Sequence, residues 1–166
     1  MPDDTTYREA CELKYTYAFG LDGRDWELYR SVLADDLVVD FRGIGYRQVM
    51  QMTAGAWVAE VRKLMDGLDV SHHQISACLL SADNGDPDEY AMRSYVTAQH
   101  VLRTPGESDR LYQIGGWYED QLRRIDGALR FTRITFSPAW SSGDPAVMKD
   151  AARAAPRQEQ RSKYPE

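Results

Sequence analysis

The chain is poor in the residues that usually announce chemistry. Its 166 residues include 2 cysteines and 3 histidines. Cys11 lies in a helical pattern and Cys78 in a strand pattern, without the spacing of a disulfide framework or a zinc ribbon, so both read as reduced core residues. No apolar run approaches the roughly 20 residues that a bilayer span needs, and Met1 to Thr6 is acidic and polar, so a cytoplasmic protein that does not enter the membrane is expected. Positive charge is also in short supply. Lysine and arginine total 20 against 26 aspartates and glutamates, a net charge of −6, which argues against nucleic acid or an anionic membrane surface as a partner.

A hydrophobic content of 43% over 166 residues supports one sizeable core, with one domain over 1–142 followed by a C-terminal helix and polar tail over 143–166. Tyr7, Ala10, Cys11, Leu13, Tyr17, Ala18 and Leu21 follow the three-and-four spacing of an amphipathic helix, loosened at its end by Gly20. Asp25 caps a second, short helix through Leu33. Leu37 to Phe41 reads as a strand, and Val49 to Leu68 as a third helix despite Gly55. Four strands follow, Val70 to Leu80, Tyr90 to Arg103, Arg110 to Arg123 and Leu129 to Phe136, joined by the turn-rich segments Asp83 to Pro87, Thr104 to Gly106 and Ile125 to Gly127. Ala146 to Ala155 reads as a last helix, and Pro156 to Glu166 as a polar tail.

Helices first and long antiparallel strands afterwards predict an α+β domain, a curved antiparallel or mixed sheet packed on the N-terminal helices. Gly115 and Gly116 suit a bend or bulge that curls the sheet into a cone around a pocket. Two histidines fall on inward parities. His73 shares a face with Ile75, Ala77 and Leu79, and His100 with Met92, Ser94, Val96, Ala98 and Leu102. His72 projects to the opposite side of its strand, so it cannot join His73 on one ion, and no metal site is expected. The aromatics Trp26, Tyr29, Trp57, Trp117 and Phe131 read as core or subunit contacts. Tyr95, Val101 and Trp117 mark a sheet face suited to self-association.

The order of elements, with Tyr15 to Trp26, Val38 to Arg42 and Arg124 to Gly127, resembles the SnoaL-like branch of the nuclear-transport-factor-two-like superfamily, and within it the scytalone dehydratases, over about Thr5 to Trp140. The resemblance implies a cystatin-like α+β barrel, a homodimer or homotrimer, and an elimination site of one aspartate and two histidines, which match Asp22, His73 and His100. The hexachlorocyclohexane dehydrochlorinases share the aspartate and the first histidine. Two tyrosines that polarise the substrate carbonyl in scytalone dehydratases fall on Leu21 and Phe41. Tyr118, on the inward parity of its strand, is an alternative phenol donor, and Tyr17 joins these as a substrate-binding residue.

These residues imply a cofactor-independent lyase that removes water from a small cyclic or aromatic hydroxy-ketone. Asp22 would fix the tautomer of His73, the base, while His100 would protonate the departing hydroxyl or hold the substrate oxygen. The alternatives are a SnoaL-type polyketide cyclase, a dehydrochlorinase-like eliminase, or a non-catalytic ligand-binding or accessory subunit like the small subunit of ring-hydroxylating dioxygenases, since this fold carries many functions.

Overall fold

Asp3 starts the first helix by accepting the Thr6 N–H at 2.8 Å, so one otherwise unpaired donor of the first turn is satisfied. The computed structural model describes residues 2–82, 85–104 and 106–154. The sequence-predicted tail from Pro156, with Asp83, Asn84, Pro105 and Ala155, lies outside the described residues. Helix α1 spans Asp4–Gly23 and α2 spans Trp26–Ser31. Gly20 does not loosen α1. The helix runs three residues beyond it, and a Cβ at Gly20 would lie 2.7 Å from the Tyr29 backbone nitrogen, so α2 folds back in contact with a position that has no side chain. Asp25 caps α2 through the Leu28 N–H at 2.9 Å, as its sequence predicts.

Strand β1 (Leu33–Asp40) begins earlier than expected, and the predicted third helix divides in two. Met50–Thr53 forms β2, antiparallel to β1, with Asp36 opposite Thr53 and Val39 opposite Met50. Helix α3 is confined to Ala54–Met65. The dividing residue is Thr53, whose hydroxyl accepts the Ala56 N–H at 3.2 Å. It is both the last residue of the strand and the cap of the helix, a signal masked by the apolar spacing around it.

The four long strands are β3 (Val70–Ala82), β4 (Glu89–Leu102), β5 (Arg110–Ile125) and β6 (Ala128–Gly143). They form the predicted antiparallel meander, and β1 joins β6 in parallel to give one mixed sheet of order β2-β1-β6-β5-β4-β3. The sheet is unclosed, with β2 and β3 as its edges. Strand β6 outruns its prediction because β5 pairs with it as far as Gly143. On its other side β1 pairs only as far as Thr135, and beyond that point Gly43 lies against Pro138, which can sit there without breaking a ladder bond.

Two of the register irregularities in the sheet bear on the site. At Gly115 and Gly116 the register with β6 slips past Ala139, Gly115 facing Trp140 and Gly116 facing Pro138. A Cβ on Gly116 would lie 2.2 Å from the Ser137 carbonyl oxygen, so the expected bend rests on a close backbone approach. The second irregularity corrects the reading of β3. Ala77 has φ +50°, and the register with β4 slips between Ser76 and Leu79. The bulge inverts the parity of the residues after it: Cys78 is buried and Leu79 is 68% exposed, although Leu79 had been expected beside His73. His73 precedes the bulge and keeps its inward phase.

The core lies between sheet and helices, with Leu37, Trp57, Leu122, Phe131 and Ile134 fully buried. Trp57 Nε1 donates to the Tyr29 hydroxyl at 2.9 Å, so a buried polar-tipped ring of α3 finds its partner on α2. Helix α4 covers Ala146–Ala151, shorter than expected. Asp144 accepts the Ala146 N–H at 2.9 Å, and Arg110 of β5 holds Asp144 at 2.8 Å and Asp150 at 2.9 Å. Val147 and Ala151 of α4 are buried against the domain.

Candidate active site

Asp22 stands in the last turn of α1 and reaches across to β3. One carboxylate oxygen lies 2.7 Å from His73 Nδ1, and the other accepts the His73 backbone N–H at 2.6 Å. The carboxylate therefore grips both the main chain and the ring of one residue. An acceptor-only carboxylate beside Nδ1 places the imidazole proton on that nitrogen and leaves Nε2 with its lone pair. Burial alone would push the Asp22 carboxyl up, but its hydrogen bonds and charge interaction with His73 prevail and hold it below the usual range. Arg24, the left-handed residue that ends α1, fixes this helix terminus by donating to the Met65 and Leu68 carbonyls at 3.1 and 2.6 Å.

His100 projects from the neighbouring strand, where it pairs in register with Ser71. Its ring centroid lies 5.5 Å from that of His73, nearly edge to face, and 6.2 Å from that of Tyr112, nearly parallel. The residue is 2% exposed, and neither ring nitrogen has a hydrogen-bond partner among the described residues. Burial, reinforced by the proximity of His73, drives its pKa down to about 3. His100 is thus a neutral imidazole near pH 7, able to donate or accept a hydrogen bond but not to act as an imidazolium acid.

His73 and His100 share a cavity of about 340 Å³ with Tyr17, Leu21, Phe41 and Tyr118, the four expected substrate contacts, whereas Asp22 is not part of its wall and meets it only through His73. The walls are mostly apolar and aromatic. Tyr112 also lines the cavity, as do Tyr29 and Tyr46. Sequence reasoning took Tyr29 for a core or subunit contact and passed over Tyr46 and Tyr112, although Tyr112 shares the inward parity of Ile114 and Tyr118. Pro145 and Met148 bring the C-terminal segment to the wall. Burial keeps Tyr17, Tyr29 and Tyr118 well above the ordinary phenol range, so each remains a protonated donor.

A second charged pair lies behind this wall. Lys14 Nζ is 2.7 Å from Asp120, and both side chains are completely buried. Desolvation pulls the Lys14 ammonium down and pushes the Asp120 carboxyl up, each opposed by the charge of its partner. The pair was legible in principle. Lys14 stands on the apolar stripe of Ala10, Cys11, Tyr17, Ala18 and Leu21, and Asp120 on the inward parity of Tyr118 and Leu122. Among the described residues no group of three or more histidines, cysteines or acidic residues could hold a metal ion, and no helix is long and apolar enough to cross a membrane.

An unclosed mixed sheet curled over N-terminal helices, with an apolar pocket between them, defines the class of cone-shaped α+β folds. Within that class the chain belongs to the SnoaL-like family, whose domain matches residues 5–135. No curated protein matches the chain. Among solved structures, the Kfla4162 protein from Kribbella flavida is 24% identical with a TM-score of 0.77, covering 92% of this chain and 100% of that one. A candidate scytalone dehydratase from Novosphingobium aromaticivorans is 18% identical with a TM-score of 0.70 over 84% of this chain and 88% of that one. A type 2 hexachlorocyclohexane dehydrochlorinase is 17% identical with a TM-score of 0.67 over 86% and 91%. At these identities the likeness is one of fold.

Proposed function

We propose that the chain is a cofactor-independent lyase that removes water from a small cyclic or aromatic hydroxy-ketone. The observation that carries this reading is the 2.7 Å contact of Asp22 with His73 Nδ1 at the wall of an apolar cavity. It leaves Nε2 as the basic nitrogen, with a carboxylate to stabilise the imidazolium once a proton arrives.

The proton beside the carbonyl passes to His73 Nε2, and the electron pair left on carbon forms the new double bond as the carbon–oxygen bond breaks. The departing oxygen takes the proton back from the His73 imidazolium and leaves as water. His100, held neutral, contributes a hydrogen bond to the substrate oxygen rather than a proton. Leu21 and Phe41 bound the substrate with apolar surface, and the phenols of Tyr17 and Tyr118 are among the cavity donors that can serve its carbonyl.

A second reading draws on the same neutral His100. A halide leaves without needing a proton, so the site also suits elimination of HX from a cyclic halide.

The test is a panel of cyclic hydroxy-ketones and their halogenated counterparts, followed by absorbance of the conjugated product in the wild type and in His73→Ala. Loss of about 10²- to 10⁴-fold in kcat/KM is expected for the variant. Near-wild-type turnover by His73→Ala would remove its role as base. An inert wild type that still binds aromatic ketones would point to the ligand-binding alternative.

A further inference from the structure

The elimination just described makes no use of the Lys14–Asp120 pair, which is the most completely buried of the charged pairs on α1. A sealed ion pair adds little net stability over apolar side chains of the same size, so folding alone gives it no purpose. Its surroundings do. Lys14 does not line the cavity, but its ammonium lies 3.4 Å from the ring centroid of Tyr118, which does, and 4.6 Å from that of Tyr17, which does too. Tyr118 is further enclosed by Phe136, with ring centroids 5.3 Å apart, and by Tyr17 at 6.0 Å. An ammonium on the face of a phenol withdraws electron density from the ring, and the hydroxyl becomes a stronger hydrogen-bond donor. At the same time the ion pair ties β5, the strand that carries Tyr118, to α1.

We propose that Lys14, anchored by Asp120, is a positioning residue that holds Tyr118 and strengthens its phenol as the hydrogen-bond donor to a carbonyl oxygen of the bound substrate. The inference rests on the assignment of a carbonyl substrate to this cavity and adds the device that recognises it. Leu21 and Phe41 offer that carbonyl no donor, and Tyr118 is the cavity phenol against which the cation lies closest.

The test uses α-tetralone, a bicyclic aromatic ketone, as a probe, with the infrared carbonyl band of the bound ketone as the readout. In the wild type the band moves to lower frequency than in an apolar solvent, and Tyr118→Phe abolishes that displacement. The double variant Lys14→Met with Asp120→Leu, which avoids stranding one charge, still binds the ketone through the apolar wall but shows a much smaller displacement, whereas Lys14→Arg retains most of it. If the double variant does not unfold cooperatively, the neutral pair Lys14→Gln with Asp120→Asn carries the same comparison. On a substrate that turns over, the double variant loses about tenfold in kcat with little change in KM.

A carbonyl band in the double variant equal to that of the wild type overturns the inference, as does an unshifted band or no ketone binding in the wild type. A band that depends on Lys14 in a protein that eliminates nothing would sustain this inference while removing the lyase reading.

Discussion

Besides the Glu9–Arg124 pair near its start, helix α1 carries two acid–base pairs two turns apart, about 12 Å along its axis, that sit in opposite settings. Lys14 meets Asp120 and Asp22 meets His73, each at 2.7 Å. In the first pair both side chains are sealed from solvent, whereas in the second both keep some exposure, His73 7% and Asp22 18%, and His73 borders the cavity. Burial penalises both charges of the first pair, so its proton has nowhere to go. The second pair keeps its carboxylate ionised and leaves one imidazole nitrogen free. Contact distance therefore says little about the role of an ion pair. Access and the identity of the base decide it.

The sharpest way to separate the pairs is to remove one member of each. Asp22→Asn keeps the shape but deprives the imidazolium of its counter-charge, and turnover should fall about 10²- to 10⁴-fold, with a smaller loss of stability than stranding a charge in the core would bring. Asp120→Leu alone strands an ammonium in the core and should cost about 3–5 kcal/mol of stability, read from urea unfolding, most of it recovered when Lys14→Met is added. If the two variants exchanged these effects, the division of labour on α1 would fail.

Acid sharpens the contrast further. An unfolded His100 takes up a proton near its ordinary value of 6.5, while the folded residue refuses one until about 3. The unfolded state thus binds more protons across this window, and stability falls as pH drops from about 6.5 towards 3, by up to roughly 1.4 kcal/mol per pH unit. Thermal melts of His100→Gln should show a flatter slope there. Asp22, whose folded pKa is depressed, contributes stability that is present above its unfolded value and lost as pH falls through the folded one, so Asp22→Asn flattens only the lowest part of the curve. The smallest effect belongs to Ala77→Gly. It relieves a left-handed alanine by roughly 1 kcal/mol and should leave turnover unchanged, because the bulge follows His73 in the strand.

Strand β4 was fully legible, because its inward parity runs unbroken from Met92 to Leu102 and carries His100 with it. Strand β3 was legible only as far as Ser76. A bulge at an ordinary alanine leaves no mark in composition, and it turned Cys78 inward and Leu79 outward. The three acid–base residues could be read because His73 lies on the near side of that bulge and Asp22 at a helix end. Lys14 and Asp120 escaped notice for a different reason: charged residues are normally discounted as solvated, even when their spacing places them on an apolar face. The split of the predicted third helix into β2 and α3 turned on Thr53, which serves two elements at once.

Gly20 sets the reach of the carboxylate without approaching any ligand. A methyl group there would meet the Tyr29 backbone nitrogen at 2.7 Å and its Cα at 2.9 Å, atoms that cannot rotate aside. The two helices would have to separate, and the turn bearing Asp22 would shift relative to His73. A displacement of about 1 Å can cost a hundredfold in rate. Under the proposed mechanism the speed of proton transfer is tied to a spacing between helices, and a variant there would resemble a damaged base while every reacting group remained in place.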